Sequence, residues 1–542
     1  MRKRQPTTRP RRGPGGWARA LGLGLVLAAL PSRPAGAEDP ATFDQLIAPF
    51  APAMQERARA LWEGGAGAEE GPGAAAASEA VSDAALLRQL RLDHPQELGE
   101  ALSAARRAEA TAAERLARAE TELARWQGFA RAARDDAALG RVYLRVLEGL
   151  RARQDGVTER RAEAAAARKA VTSLRVNAAL QDVSLNFTWK DWAVIAAYLV
   201  FTTVLGALLA GRQATMKDFF LGGRKLPWPA VCGSIIATEL SAATFLIAPA
   251  IVFSSGGDMT YLQLGIGTVV ARFIIGYFFV PAYYEREIYS PYDYMGNQLG
   301  PRVKSLTSAL FMIGGILAQG ARVYIAAKAL QVITGTNITT SIALIGAVAV
   351  VWTIMGGITT VIWTDAIQFV LFSAGAVAAL AFVHVAVDGG LSAALAEGMR
   401  AGKFNVINLN FNAREAYTLW CGLFATGWLT LGSHGTDQLM AQRMFTCRSP
   451  EDARRAVIWS SLSQVLTVLL LLVGASIFVY YKHVPFTAPE RVIVDDDAMK
   501  VFAVYIVNVM PPMLSGLLMA ALFATAISTL DSILAALSQT TV

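Results

Sequence analysis

The stretch Ile236-Ala237-Thr238-Glu239-Leu240-Ser241-Ala242-Ala243-Thr244-Phe245-Leu246-Ile247-Ala248-Pro249 is apolar enough for a membrane interior, yet it surrounds an acid with hydroxyl and small side chains and ends on a proline. That mixture predicts a transmembrane helix whose hydrogen-bond ladder opens partway and exposes carbonyls able to coordinate a cation. Taken alone, the stretch also fits a proline-bent helix whose Ser and Thr hydroxyls bond back to their own turn.

Outward from this segment the pattern is that of a polytopic membrane protein. The 542 residues are 54% hydrophobic with a mean hydropathy of +0.39, and the charges are distributed very unevenly. Nine stretches are long enough to cross a hydrocarbon core of roughly 30 Å as helices: about 191–210, 229–254, 260–282, 305–333, 340–355, 362–387, 415–440, 456–481 and 513–540. Glu239, Arg272, Arg322, Lys328, Asp365, Asp437 and Asp531 fall inside them. Each costs roughly 2.5–3.5 kcal/mol at the bilayer midplane, so a protein interior or aqueous cavity is expected around them, with Arg272, Arg322 and Lys328 also able to snorkel.

The N-terminal third differs in kind. Arg2, Lys3, Arg4, Arg9, Arg11 and Arg12 precede an apolar run from Leu21 to Leu30 and the exit Ala35-Gly36-Ala37, which predicts a secretory signal over 1–37. Residues 38–186 then form an extracytoplasmic region with a Gly/Ala linker from Gly64 to Ala77. Ala112, Leu116, Ala119, Leu123, Trp126 and Ala130 line one helix face, Val142, Val146 and Leu150 lie on a second helix, and Asp155-Gly156 reads as a break before a third. A helical hairpin or short coiled coil results. It is either an oligomerisation or docking arm through residues 100–180 or a solvated stalk.

With that start outside, the loop carrying Arg212, Lys217, Arg224 and Lys225 and the loop carrying Arg443, Arg448, Arg454 and Arg455 both fall inside, whereas the outer loops around Gly257 and Gly335 hold no Lys or Arg. The positive-inside rule gives the same orientation for residues 187–542 in an inner or plasma membrane. Cys232, Cys421 and Cys447 offer no disulfide scaffold to the exported part, and His94, His384, His434 and His483 lack metal-ligand spacing. No nucleophile–base pair, metal cluster or nucleotide loop is legible, so no enzyme activity is expected. The net charge of +7 suits membrane orientation rather than nucleic-acid binding.

In the last span, Thr525, Ser528, Thr529, Asp531 and Ser532 cluster hydroxyls at one depth, as a weakly hydrated monovalent cation requires. These residues resemble the sodium:solute symporter family when taken with Asp218-Phe219-Phe220-Leu221-Gly222-Gly223-Arg224 and Gly356-Gly357-Ile358-Thr359-Thr360-Val361-Ile362-Trp363-Thr364-Asp365-Ala366-Ile367-Gln368. Gly435-Thr436-Asp437-Gln438 with Gln442-Arg443, and Gly516 through Ser538, follow in the family's order. The resemblance covers about 190–542.

It implies an all-α, inverted-repeat (LeuT-like) fold, with an extra leading helix, a first repeat over 229–387 and a second from near 415. Two core helices of that second repeat would lie beyond Val542. Carried over by position, sodium would meet the carbonyls of Ala237, Leu240 and Thr525 and the hydroxyls of Ser528 and Thr529. A candidate second sodium site would use Asp365, Ser528, Asp531 and Ser532, or else Asp365 caps a helix beginning near Trp363. Relatives that carry sugars have Asn and Glu-Gln where this chain has Glu239 and Ala243-Thr244, a departure from the pattern that sugar specificity rests on. Glu239, Thr244, Gln263 and His434 are the candidate solute contacts, and Glu239 meets a cationic solute, pairs with an arginine such as Arg272, or carries a proton. The expectation is symport of a small organic solute with sodium as coupling ion and no other cofactor. The alternative is a transporter-like solute sensor with a C-terminal signalling tail.

Overall fold

The computed structural model describes residues 52–64, 82–91, 95–134, 139–210, 216–286, 290–355, 357–387, 389–412 and 414–541, with Phe43, Gln45, Ala48 and Ile288. The expected signal over 1–37 and nearly all of the Gly/Ala linker lie outside these residues. The chain divides into two compact units, Met1–Leu87 with Asp93–Arg175, and Arg88–Leu92 with Val176–Val542. No strand occurs among the described residues.

The first unit is built from α1 (Pro52–Gly64), α2 (Asp83–Gln89), α3 (Pro95–Arg134) and α4 (Gly140–Ser184), the last turns of α2 and α4 belonging to the second unit. Phe43, Ala58, Trp126, Phe129, Val142 and Val146 form its core, with Trp62 stacked on Phe43 and the Arg153 guanidinium 3.9 Å from the Trp126 ring. The apolar spacing at Ala119, Leu123, Trp126 and Ala130 therefore marks a real packing face. The expected break at Asp155-Gly156 is absent. Helix α4 runs through it without interruption, because one glycine costs only about 1 kcal/mol relative to alanine in a helix interior, which long flanking turns offset.

The second unit holds α5 (Trp189–Ala210), α6 (Trp228–Glu239), α7 (Ala242–Phe253), α8 (Met259–Tyr284), α9 (Pro291–Leu299), α10 (Pro301–Thr334), α11 (Ile338–Met355), α12 (Ile358–Ala386) and α13 (Gly390–Arg400). After them come α14 (421–436), α15 (Gln438–Phe445), α16 (Pro450–His483), α17 (Ala488–Asp496), α18 (Val501–Val509) and α19 (Leu514–Thr541). Among the described residues, α8, α10, α12, α16 and α19 are long and apolar enough to cross a membrane, and α6 with α7 makes a sixth span bent by 57°. The expected span 415–440 is not one rod. Helix α14, wound partly as π-turns, stops at Asp437, whose backbone is extended at φ −83°, ψ 132° and whose side chain caps α15 by accepting from Leu439 N. A broken helix thus opens each half of the unit, as an inverted repeat demands.

Close backbone approach sets the packing. A Cβ on Gly267 of α8 would lie 2.1 Å from the Gly422 carbonyl oxygen of α14, and one on Gly474 of α16 would lie 2.3 Å from the Pro249 carbonyl oxygen of α7. Small residues permit such contacts between membrane helices, where dispersion rather than water expulsion supplies the attraction. Leading helix α5 is tied to α19 by Asp191, whose Oδ1 accepts from Met513 N (2.8 Å), Gly516 N (3.0 Å) and Ser515 Oγ (2.7 Å). Those orphan amides at the start of α19 are thereby satisfied by a negative charge at the positive end of the helix. At the other polarity, the buried Lys403 Nζ donates to the Ser254 and Gly257 carbonyls (2.7 and 3.0 Å) just beyond α7.

Candidate functional site

The opening of the α6–α7 pair falls at Leu240 (φ −82°, ψ 66°) and Ser241 (φ −66°, ψ 171°), nine and eight residues before Pro249, which α7 accommodates within its length. Leu240 N still donates to Ile236 O at 2.8 Å. Carbonyls 237–240 follow that last helical bond and form the unsatisfied C-terminal end of α6, with the negative end of its dipole beside them. Ala237 and Leu240, both buried, are two of the four. The Thr238 hydroxyl reaches toward Asp365 Oδ2 at 3.4 Å instead of its own turn.

Asp365 gathers the elements around the break. It lies inside α12, seven residues past Ile358, so it does not cap that helix; Gly357 stands at the N-cap. Its Oδ2 accepts from Ser234 Oγ (2.6 Å) on α6 and from Arg443 Nη2 (3.1 Å) on α15, and its Oδ1 accepts from Ser528 Oγ on α19. Arg443 further donates through Nη2 to Ser532 Oγ (2.7 Å), through Nε to Ser234 Oγ (2.9 Å) and through Nη1 to Leu439 O (2.7 Å). Both charged side chains are sealed from solvent, at 0% and 2% exposure. Asp531 is buried on the adjoining side of α19. Ser234 and Arg443 are the members that the sequence reading did not place in the site. Arg443 stands in the quoted motif, but nothing in a linear sequence shows that α15 folds back to aim it at Asp365.

The remaining sodium candidates also lie on α19. Thr525 Oγ1 donates to Ala521 O (2.9 Å) and reaches Gln368 Oε1 (3.3 Å), while Thr529 Oγ1 donates to Thr525 O (2.6 Å). In this conformation the two threonine hydroxyls are thus bonded to their own helix, and their oxygen lone pairs are what remains to offer a cation.

A second cluster occupies the solute candidates. Glu239 pairs with Arg272 of α8, which is fully buried and also donates to Ser463 Oγ (3.1 Å). His434 of α14 shares a hydrogen bond with Ser433 Oγ (2.9 Å), its buried Nε2 has no partner, and it lies within electrostatic reach of Glu239, Arg272 and Arg322. Gln263 serves elsewhere: its Oε1 accepts from Asn408 N (3.1 Å) and its Nε2 donates to Tyr417 O (3.3 Å), stitching the start of α8 to a loop. Thr244 sits half-buried on the first turn of α7. Arg322, on α10, makes no hydrogen bond or ion pair among the described residues; its electrostatic neighbours are Asp437 and the like-charged Arg443.

Residues 219–542 match the model of the sodium:solute symporter family. The chain belongs to that family. A sodium/sialic acid symporter of Proteus mirabilis is 30% identical to this symporter-family chain over 361 residues, covering 65% of it and 70% of the relative. The human sodium-coupled monocarboxylate transporter 1 is 29% identical over 363 residues, and the Bos taurus sodium-coupled monocarboxylate transporter 2 is 26% identical over 365. The chain spans 58% of the length of each of these two. A solved structure of a sodium-coupled sialic acid symporter, substrate-bound and outward-open, superposes with a TM-score of 0.60 at 28% identity, covering 65% of this chain and 73% of that one.

Proposed function

We propose that the protein carries out sodium-coupled symport of a small, carboxylate-bearing solute by alternating access. The observation that carries this reading is the opened helix. Carbonyls 237–240 end α6 beside α19, whose Thr525, Ser528 and Thr529 supply further oxygens, so a sodium ion held by Ala237, Leu240, Thr525, Ser528 and Thr529 would tie the two helices together. An ion that binds one conformation better shifts the population toward it and raises solute affinity there by the same factor. One charge crossing about 100 mV supplies about 2.3 kcal/mol, and a tenfold sodium gradient about 1.4 kcal/mol more. Together they support a solute gradient of several hundredfold.

Solute charge follows from what is already paired. Glu239 is matched by Arg272, which removes the need for a cationic solute. Arg322 is a cation on a membrane helix with no hydrogen-bonding partner, and His434 Nε2 is an unused polar atom in the same electrostatic neighbourhood. A solute carboxylate would answer both, in keeping with relatives named for sialic acid and monocarboxylates.

Uptake by the full-length protein in proteoliposomes tests the proposal. A sodium gradient should drive accumulation of a small carboxylate and not of its amide. Arg322→Gln should raise the KM for the carboxylate about 10- to 100-fold, since a charged hydrogen bond is worth about 1.5–3 kcal/mol. Thr529→Ala should raise the half-saturating sodium concentration. Uptake of every carboxylate that is indifferent to sodium would refute the reading.

A further inference from the structure

The residues where the N-terminal helices join the membrane unit carry an inference about solute affinity, which rests on the symport reading. We infer that residues 88–91 and 176–187 form a strap that holds α17 and α18, and through them the half-helix α7, in the conformation described above, and that Asn186 and Asn508 are positioning residues for transport.

The strap belongs to the same compact unit as the membrane helices, and it closes a ring of hydrogen bonds with α17 and α18. Arg91 starts the ring. Its backbone N and its Nε donate to Asp182 Oδ1 (2.8 and 3.1 Å), and its Nη2 donates to Asp182 O and to Asn186 Oδ1, both at 3.1 Å. Asn186 Nδ2 donates to Asn508 Oδ1 (2.7 Å) in the last turn of α18, and Asn508 Nδ2 donates to Glu490 Oε1 (2.5 Å) on α17. Glu490 Oε2 accepts from Thr487 N and Oγ1 (2.8 and 2.9 Å), which is half of the capping box of α17. The next amide, Ala488 N, donates to Gln89 Oε1 (2.6 Å), two residues from Arg91, and the ring is closed.

Charge fixes the direction of this relay. A guanidinium only donates and a carboxylate only accepts, so the two asparagine amides between them must turn their oxygens toward Arg91 and their NH2 groups toward Glu490. Both ends of the relay are charge-assisted bonds. Gln89 answers one of the N-terminal amides that α17 cannot satisfy itself. Two further contacts brace the ring against α10. The end of α4 lies on the turn after that helix, where a Cβ on Gly335 would stand 2.9 Å from Ser184 Oγ and 3.1 Å from Gln181 Cα, and Lys328 of α10 pairs with Asp497 (2.8 Å) between α17 and α18.

The strapped helices reach the opened span directly. Phe502 of α18 is fully buried, and its ring lies 4.9 Å from that of Phe245 on α7, which in turn lies 5.0 Å from Phe372 of α12. Phe245 follows Thr244, in the first turn after the opening at Leu240 and Ser241. Close-packed side chains transmit displacement, so a restraint on α18 is a restraint on α7. A stalk needs only a peptide connection to the membrane helices; a relay with a charge at each end, seated on a helix that packs against the opened span, does more. Cutting it should lower the population of this conformation, and apparent affinity falls with the competent fraction.

Asn186→Asp cuts the relay without changing its shape, because the new carboxylate cannot donate to Asn508. Asn186 is exposed, so the substitution leaves no buried charge. The experiment joins hydrogen–deuterium exchange of the full-length protein in nanodiscs to sodium-driven carboxylate uptake in proteoliposomes. Exchange should quicken in α17, α18 and the first turn of α7 and stay unchanged in α8, while the solute KM rises about 2- to 10-fold, the range of one lost hydrogen bond, at unchanged maximal rate. Gln89→Ala, on the opposite side of the ring, should act in the same direction. Faster exchange confined to residues 88–91 and 176–187, with KM unchanged in both variants, would make the strap a mere attachment and overturn the inference. A lower maximal rate at constant KM would assign it to assembly alone and overturn it equally. Sodium-independent uptake by the unaltered protein would refute the symport reading, and the exchange result, which needs no transport, would still decide whether the strap restrains α7.

Discussion

Glu239→Gln separates a structural carboxylate from a solute-binding one. The Arg272 side chain is 0% exposed and Glu239 20% exposed. Without the carboxylate, the guanidinium retains Ser463 Oγ at 3.1 Å, while its buried Nε has no hydrogen-bond partner even in the unaltered protein. Leaving one member of a buried pair uncompensated costs about 3–5 kcal/mol, and the partial exposure of Glu239 places this case near 3 kcal/mol. Replacing both members by apolar residues, as in Glu239→Leu with Arg272→Met, should cost little or nothing, because such swaps avoid the desolvation of two charges. The buried thiols Cys232 and Cys447 give the assay: detergent-purified protein is heated with a thiol-reactive dye, and labelling reports unfolding. Glu239→Gln should label at a distinctly lower temperature, and the double variant should return toward the unaltered protein. A Glu239→Gln protein as heat-stable as the parent would refute the pairing argument. Loss of uptake confined to a cationic solute in that variant would instead make Glu239 a solute ligand.

Gly474→Ala should destabilise by about 1–3 kcal/mol in the same thermal assay, since its Cβ would lie 2.3 Å from the rigid Pro249 carbonyl oxygen and overpacking must move α7 or α16. Gly320→Ala, with nothing within 4 Å of the new Cβ, is the matched control and should leave the transition unchanged. On the loop helix α13, Glu397 accepts from His483 (2.8 Å) and Lys482 (3.0 Å), and these hydrogen bonds hold its carboxyl below the ordinary glutamate value of 4.5. A depressed carboxylate contributes stability that is present above its unfolded pKa and is lost as pH falls through the folded one. The heat stabilities of the parent and Glu397→Gln should therefore differ at neutral pH and converge below pH 4.5. A difference that persists unchanged into strong acid would show that the carboxylate's charge is not what matters.

Much of this protein could be read from residue order, because bilayer thickness and the cost of buried charge act on local sequence. Apolar runs of about 20 residues located six of the nine expected spans among the described residues, the bent pair α6 with α7 and the helices α8, α10, α12, α16 and α19. Ala, Ser and Thr flanking Glu239 gave the opened helix, although the break sits at Leu240–Ser241 and not at the proline. Tertiary structure decided what depends on partners distant in the chain. Asp365 finds Ser234, Ser528 and Arg443, separated from it by 131, 163 and 78 positions, and no periodicity in any one helix encodes that meeting. Glu239 meets Arg272 only because α8 packs against it, and Gln263 meets Asn408 and Tyr417 only because a distant loop lies beside the start of α8. At Asp155-Gly156 a local turn signal lost to the continuity of a 45-residue helix. Local composition sets where a backbone can open and which charges must be buried; only the packed helices determine which opposite charge or hydroxyl answers each one.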